Sequence, residues 1–228
     1  MLILAVDTTT PSGSVALLEG DVLLGEVDVE SAATHSARLL KSVDFLLAAH
    51  GRDVREVDAF AVAAGPGSFT GIRIGVAAVK SLAFASGKPV APVSTLAALA
   101  GKLLAGGARL ACPILDARKE EIYAGLFGAG PAGPVEIVPQ GAYDPDAFLA
   151  RLPARRVIAY AGGGLAICRD RLPSRLRAGA RFPDRTPFVA AEVARLGAAM
   201  VREGRGVDAA ALAPIYFRRS QAEEKCRT

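Results

Sequence analysis

Apolar residues near the start of the chain come in short runs, and between those runs the spacing becomes helical. Leu2–Asp7 is an unbroken apolar run ending in an acid and reads as a buried strand. Ser14–Leu18 and Val22–Val29 follow across the turn Glu19-Gly20-Asp21, which predicts an antiparallel meander. From about Thr34 to His50 the spacing becomes helical. Leu39-Leu40, Val43 and Leu46-Leu47 form the apolar stripe, Ser31 or Thr34 is the cap, and Gly51 is the stop.

The next pattern is strand, glycine turn, helix. Ala59–Ala64 is apolar and ends in Gly65-Pro66-Gly67-Ser68-Phe69-Thr70-Gly71-Ile72-Arg73-Ile74-Gly75. Ile72, Val76, Val79 and Leu82-Ala83 then recur at helical spacing until Gly87-Lys88-Pro89. Ser68 or Thr70 can cap this helix, and free amides at such a terminus can hold a phosphate. The lysine of a P-loop is absent, because Thr70-Gly71-Ile72-Arg73 follows the glycines. A strand at Val90–Val93 and a helix from Ser94 to Gly106-Gly107 come next.

The pattern then starts again. Leu110–Asp116 is a strand ending in Asp, as Leu2–Asp7 was, and it turns through Ala117–Glu120 into Glu121–Phe127. Val157–Ala161 runs into Gly162-Gly163-Gly164 and a helical Leu165–Arg169. Asp7 and Asp116 are 109 positions apart, and Gly65 and Gly162 are 97 apart. Repetition at half the chain length predicts two similar α/β domains. The expected division is 1–107, completed by a helix near 189–203, and 108–188. Gly128–Gly133 reads as a surface loop. Phe188–Glu203 reads as a long helix with Val189, Val193, Leu196 and Met200 on one face, and residues 220–228 read as a mobile polar tail.

Composition narrows the function classes. Of 228 residues 51% are hydrophobic, yet the charge-free runs Ala59–Ile72 and Ile122–Val135 are too short to span a bilayer, so no membrane role is expected. No basic region precedes Leu2, and the Cys112, Cys168 and Cys226 spacing fits reduced thiols; a cytoplasmic location is expected. Net charge is +4, with basic residues gathered in 151–185 and in the tail, where they could meet nucleic-acid phosphates or simply be solvated. The two histidines, His35 and His50, lie about 22 Å apart along one predicted helix and cannot share a metal ion. No His-Glu-x-x-His and no Gly-x-Ser-x-Gly is present, which argues against a peptidase. Asp7, with hydroxyls behind it, fits a metal-bound phosphate and equally a turn in which Asp and Thr cap their own backbone. An ATP-dependent phosphotransferase would have to use Asp7, Asp116 and the two glycine turns.

Taken together, Asp7-Thr8-Thr9-x-x-x-Gly13-Ser14-Val15-Ala16-Leu17, His35-Ser36 and the Gly65–Gly75 run resemble the TsaB (YeaZ) family. Asp116-Ala117-Arg118-x-x-Glu121-x-Tyr123 and Pro214-x-Tyr216-x-Arg218 belong to the same resemblance, which covers the whole chain and is strongest over residues 1–127. It implies two RNase H-like halves of the actin, Hsp70 and sugar-kinase ATPase kind. It also implies a cytosolic, non-catalytic partner of TsaD in making N6-threonylcarbamoyladenosine at position 37 of tRNAs that read ANN codons, with the ATPase TsaE joining the pair. The His-x-x-x-His of TsaD-like metal sites is here His35-Ser36-Ala37-Arg38-Leu39, without the second ligand. No metal and no cofactor is expected of this chain alone. ATP or ADP is expected at most in the assembled complex, with tRNA bound through that complex.

The resemblance further implies a four-helix bundle, formed with a second copy or with TsaD by the helix at 34–50 and the helix after the glycine turn. His35, Leu39, Val43 and Leu46 would contribute from the first, and Ile72, Arg73, Val76 and Lys80 from the second. The same stripes could instead face the protein's own sheet. Asp7, Thr8, Gly65, Gly67 and Asp116 are the candidates for a vestigial or weak nucleotide site.

Overall fold

The apolar runs at Leu2–Asp7 and Ala59–Gly65 become central strands in which every residue is buried. The computed structural model describes residues 1–30, 35–184 and 186–218. The first elements are β1 (Leu2–Asp7), β2 (Ser12–Glu19), β3 (Val22–Glu30), α1 (His35–Ala49), β4 (Ala59–Gly65), α2 (Phe69–Ser86), β5 (Val90–Ser94) and α3 (Thr95–Ala105). They are followed by β6 (Leu110–Arg118), β7 (Glu121–Gly130), β8 (Gly133–Tyr143), α4 (Pro145–Arg151), β9 (Ile158–Ala161), α5 (Leu165–Cys168), α6 (Ser174–Arg177), β10 (Ala180–Arg181) and α7 (Ala190–Arg202).

The chain divides into two units: Met1–Ala98 with Pro187–Ile215, and Leu99–Thr186 with the stretch that begins at Tyr216. The first unit holds a sheet of order β3-β2-β1-β4-β5, with β1–β2–β3 antiparallel and β1–β4–β5 parallel. The second holds β10-β9-β6-β7-β8, with β6–β7–β8 antiparallel and β6–β9–β10 parallel. Each strand of the first sheet thus has its counterpart in the second, and the repetition legible in the sequence is a repetition of topology.

Period-2 alternation divides the first sheet between two layers. Leu2, Leu4, Val6, Val15, Leu17, Phe60 and Val62 meet Leu39, Val43, Leu46 and Leu47 of α1 and Ile72, Val76, Val79 and Ala83 of α2. α2 is long and apolar enough to cross a membrane by length and composition, but its buried side belongs to this core. The opposite face carries small residues, and α7 packs there. A Cβ on Gly197 would lie 2.5 Å from Cβ of Ala61 and 3.4 Å from Cβ of Ala91. The amides of Ala190 and Ala191, at the start of α7, donate to Ser14 Oγ (3.1 Å) and Glu26 Oε1 (2.9 Å), so the sheet caps this helix.

Three expectations need correction. The buried side of α7 is Ala190, Ala191, Glu192, Val193, Ala194, Gly197 and Ala198, mostly small residues against an alanine-rich sheet face, while Leu196 and Met200 are half-buried. Gly128–Gly133 is not an open loop: β7 and β8 continue to Gly130 and Gly133, which pair across a tight turn. Leu40 is 50% exposed and does not belong to the buried stripe of α1. The expected tail, 220–228, lies outside the described residues.

The second unit has its own core, in which Ile114, Ile122, Leu126, Phe148, Leu149, Ile158 and Tyr160 surround the free thiols Cys112 and Cys168. Burial pushes the Cys168 thiol up to about 11 and raises Cys112 as well.

Candidate functional site

The glycine turn is shaped by its own chain. Ser68 is the N-cap of α2, accepting from Gly71 N at 3.3 Å, which decides between the two hydroxyls. The amide of Ser68 donates to Thr9 O at 2.7 Å, and Thr8 Oγ1 donates to Gly71 O at 2.7 Å. The loop after β1 therefore lies on the start of α2, and the glycines mark where it touches. A Cβ on Gly67 would stand 2.5 Å from Thr9 O; one on Gly71 would collide with Thr8 O, and one on Gly75 with Thr8 Oγ1. Gly65, at φ +123°, faces Ile215 O, and the Ile215 amide donates to Ala64 O at 2.7 Å. Gly65, Gly67 and Gly71 are needed for close approach of backbone to backbone, and Gly75 for that of the Thr8 side chain.

Asp7 is fully buried. Its Oδ1 accepts from Thr9 N (2.8 Å) and Thr9 Oγ1 (2.6 Å), so of the two turn chemistries the sequence allowed, Asp7 makes the self-capping one. Among the described residues Oδ2 has no hydrogen-bond partner, and neither does the buried Nη2 of Arg38. Asp7 and Arg38 line the same small cavity of about 20 Å³, with Ser14 and Ser42. Burial lifts the Asp7 carboxyl from 3.8 to about 6, against the two Thr9 hydrogen bonds that lower it, and nearby Glu26 adds to the rise.

The second unit repeats this construction with different residues. A Cβ on Gly162 would collide with Ile114 O, and one on Gly164 would lie 2.7 Å from Leu115 C, so this glycine turn also rests on the end of its first strand. Asp116 is exposed and its Oδ1 accepts from Arg118 N at 2.6 Å. It thereby supports a turn in which Arg118, Lys119 and Glu120 all have positive φ. Arg218 Nη1 donates to Glu121 Oε2 at 2.8 Å, and Phe217 lies 6.3 Å from Tyr123. The ion pair joins the two late sequence motifs.

The residues expected to meet a partner divide sharply. Leu39, Val43, Leu46, Ile72 and Val76 are buried in the core of the first unit, so the stripes face their own sheet, and the expectation that these side chains form a free face is corrected. A helix lying on a sheet must bury its most apolar side there. Lys80 donates to Ala210 O (3.0 Å) and Leu212 O (3.3 Å), tying down a later segment. Arg73 is exposed, with its guanidinium 3.8 Å from the centre of the Phe69 ring. His35 begins α1, but its side chain lies outside the described residues. What α1 and α2 present outward instead is Leu40, Phe45 at 65% exposure and Phe84 at 80%. The signal for these was in the sequence: they are the large apolar residues out of phase with the buried stripe. Among the described residues, no group of three or more His, Cys, Asp or Glu side chains is placed to hold a metal ion.

A family profile described as TsaD, tRNA N6-adenosine threonylcarbamoyltransferase, matches residues 25–137. The Bacillus subtilis tRNA threonylcarbamoyladenosine biosynthesis protein TsaB is 38% identical over 129 residues, 56% of this chain and 55% of that protein. The chain spans about half the length of the curated relatives it matches by sequence. The crystal structure of YeaZ from Pseudomonas aeruginosa is 32% identical and superimposes with a TM-score of 0.83 over 94% of this chain and 99% of that one. Component A of (R)-2-hydroxyglutaryl-CoA dehydratase from Acidaminococcus fermentans shares the two-unit α/β fold, at 9% identity and a TM-score of 0.52 over 90% of this chain and 99% of that one.

Proposed function

The chain belongs to the TsaB (YeaZ) family, and on that premise we propose that it is a non-catalytic subunit supporting a TsaD-type partner. The reaction served is N6-threonylcarbamoylation of adenosine 37 in tRNAs that read ANN codons, carried out in the cytosol. One observation carries the reading: the paired helices α1 and α2 turn large apolar side chains to solvent, Phe84 and Phe45 above all. Phenylalanine buries about 150–250 Å² when covered, and aromatic residues of this kind dominate association energies. The motifs that a nucleotide enzyme would use are occupied with holding the fold. Thr9 satisfies one oxygen of Asp7, and the glycines of the turn seat the Thr8–Thr9 backbone.

On this reading the outward side of α1 and α2 pairs either with a second copy of the chain or with the TsaD-type subunit. The two assemblies compete, and partner concentration sets the balance by mass action. A TsaE-type ATPase joins the assembled pair, tRNA binds through the complex, and any ATP or ADP belongs to the complex and not to this chain alone. Phe84→Glu combined with Phe45→Glu is expected to abolish co-purification with the TsaD-type subunit and to stop tRNA threonylcarbamoylation by the mixture. The urea unfolding midpoint of the isolated chain should stay where it was. Val43→Glu does not serve here, because Val43 is in the core and its loss would report on folding. Normal co-purification of the double variant would overturn the proposal.

A further inference from the structure

A groove of about 1140 Å³ opens in the second unit, and its composition is lopsided. Arg109, Arg155, Arg156 and Arg181 line it, all four are exposed, and no Asp or Glu is among the lining residues. Arg181 Nη1 donates only to the carbonyls of Ala178 (3.2 Å) and Ala180 (2.9 Å), and Arg109, Arg155 and Arg156 have no ion pair among the described residues. Between the guanidinium groups the surface is apolar: Ile137 and Val157 are 52% and 58% exposed, over the deeper Leu103 and Leu110.

Its position separates it from any nucleotide site of an α/β sheet. Such ligands bind beyond the carboxyl ends of the parallel strands, which in this unit is the end carrying Asp116 and Gly162. The groove lies at the opposite end, where Leu110 opens β6 and Ala159 falls early in β9. We propose that this groove is a docking site for an acidic polypeptide segment bearing aliphatic side chains, supplied by another protein. The carboxylates would pair with the arginine forks, and the aliphatic groups would cover Ile137 and Val157.

Two observations favour a polypeptide over other anions. The volume exceeds the roughly 300–1,000 Å³ usual for a small-molecule pocket. Grooves that hold a single nucleic-acid strand combine positive charge with aromatic faces on which bases stack. The one aromatic lining residue, Phe182, is already stacked on Tyr160 at 5.6 Å, with Arg169 4.9 Å from its ring centre. The groove belongs to the second unit and its role is independent of the face on α1 and α2.

The test is fluorescence polarisation on the full chain with a short labelled peptide of alternating glutamate and leucine, beside polyglutamate and oligouridine of equal length. Saturable binding of the mixed peptide is expected, weakened at least about tenfold by Arg155→Glu with Arg156→Glu. Val157→Ser, which leaves every charge in place, should weaken it too. In the wild-type chain the peptide should shift the backbone amide resonances of residues 155–157 and 181–182. All three positions are exposed, and unchanged urea midpoints will show that the variants are folded. Failure of the mixed peptide to bind overturns the proposal. So does polyglutamate binding equally well and insensitive to Val157→Ser, which would mean charge alone, or oligouridine displacing the peptide at equal concentration, which would mean a nucleic-acid surface.

Discussion

Gly197→Ala sets two effects of opposite sign against each other. In an isolated helix the change is favourable by about 1 kcal/mol, because alanine forms helix more readily than glycine. Here the new methyl would sit 2.5 Å from Cβ of Ala61, where carbon atoms pack best at about 3.5–4.0 Å. The overlap is therefore roughly 1 Å, and Ala91 at 3.4 Å closes the lateral escape. Relief requires α7 to lift from the sheet, loosening Ala190, Ala194 and Ala198, which are buried there. Overpacking of this kind costs about 1–3 kcal/mol. The net expectation is destabilisation by about 0–2 kcal/mol, read as a lower urea midpoint with an unchanged slope. Ala61→Gly in the same chain should recover part of the loss, giving a favourable coupling energy in the double-mutant cycle. A raised midpoint for Gly197→Ala would show that propensity wins and that the contact between α7 and the sheet is looser than described.

Other expectations can be checked with the same unfolding assay. Because the buried Asp7 carboxyl titrates near 6 when folded and near 3.8 otherwise, the folded state holds the proton more tightly, and its advantage is lost as pH rises from about 4 to 6. Asp7→Asn should therefore gain about 3 kcal/mol relative to wild type across that window and nothing further above pH 7; parallel pH profiles would refute the assignment. Tyr160→Phe removes a buried hydroxyl that has no hydrogen-bond partner among the described residues, so stability should be unchanged or higher by about 1 kcal/mol, and a clear loss would overturn that assignment. Phe148→Ala, fully buried against Tyr143 at 5.2 Å, should cost about 3–5 kcal/mol. A cost below 1 kcal/mol would mean that the core of the second unit is fluid.

The fold was legible where sequence pattern and packing agree. Leu2–Asp7 and Ala59–Gly65 are buried throughout because they sit between two helical layers, and Asp7 and Asp116 end equivalent strands of two sheets of one topology. Legibility failed where hydrophobicity misleads about direction. Leu39, Val43, Ile72 and Val76 are the most apolar positions of their helices and for that reason point inward. The residues left outside, Phe45 and Phe84, break the pattern. In α7 the rule weakens, because an alanine-rich sheet face is met mostly by alanine and glycine, with Val193 among them, while the larger Leu196 and Met200 stay half-buried. The glycine turn looked like a ligand loop because ligand loops and close backbone contacts both exclude a Cβ; only the position of Thr8 and Thr9 distinguishes them. The arginine groove was out of reach, since it gathers residues from positions 109, 137, 155–157 and 181.

The first unit is assembled from two stretches of chain with the greater part of the second unit between them. During synthesis, β1 to β5 emerge early, but α7 follows Ala98 by about a hundred residues. At roughly 5–20 residues per second, that delay is on the order of 5–20 s. Throughout it, the alanine-rich side of the first sheet has no helix over it, while β6 to β10 are already leaving the ribosome and able to pair. Alanine suits a surface that has to wait: it offers little apolar area to passing chains, yet leaves a shallow, smooth seat on which a late helix of similar residues can settle. The layer between α7 and the sheet is thus the last part of the first unit to be completed as the chain is made.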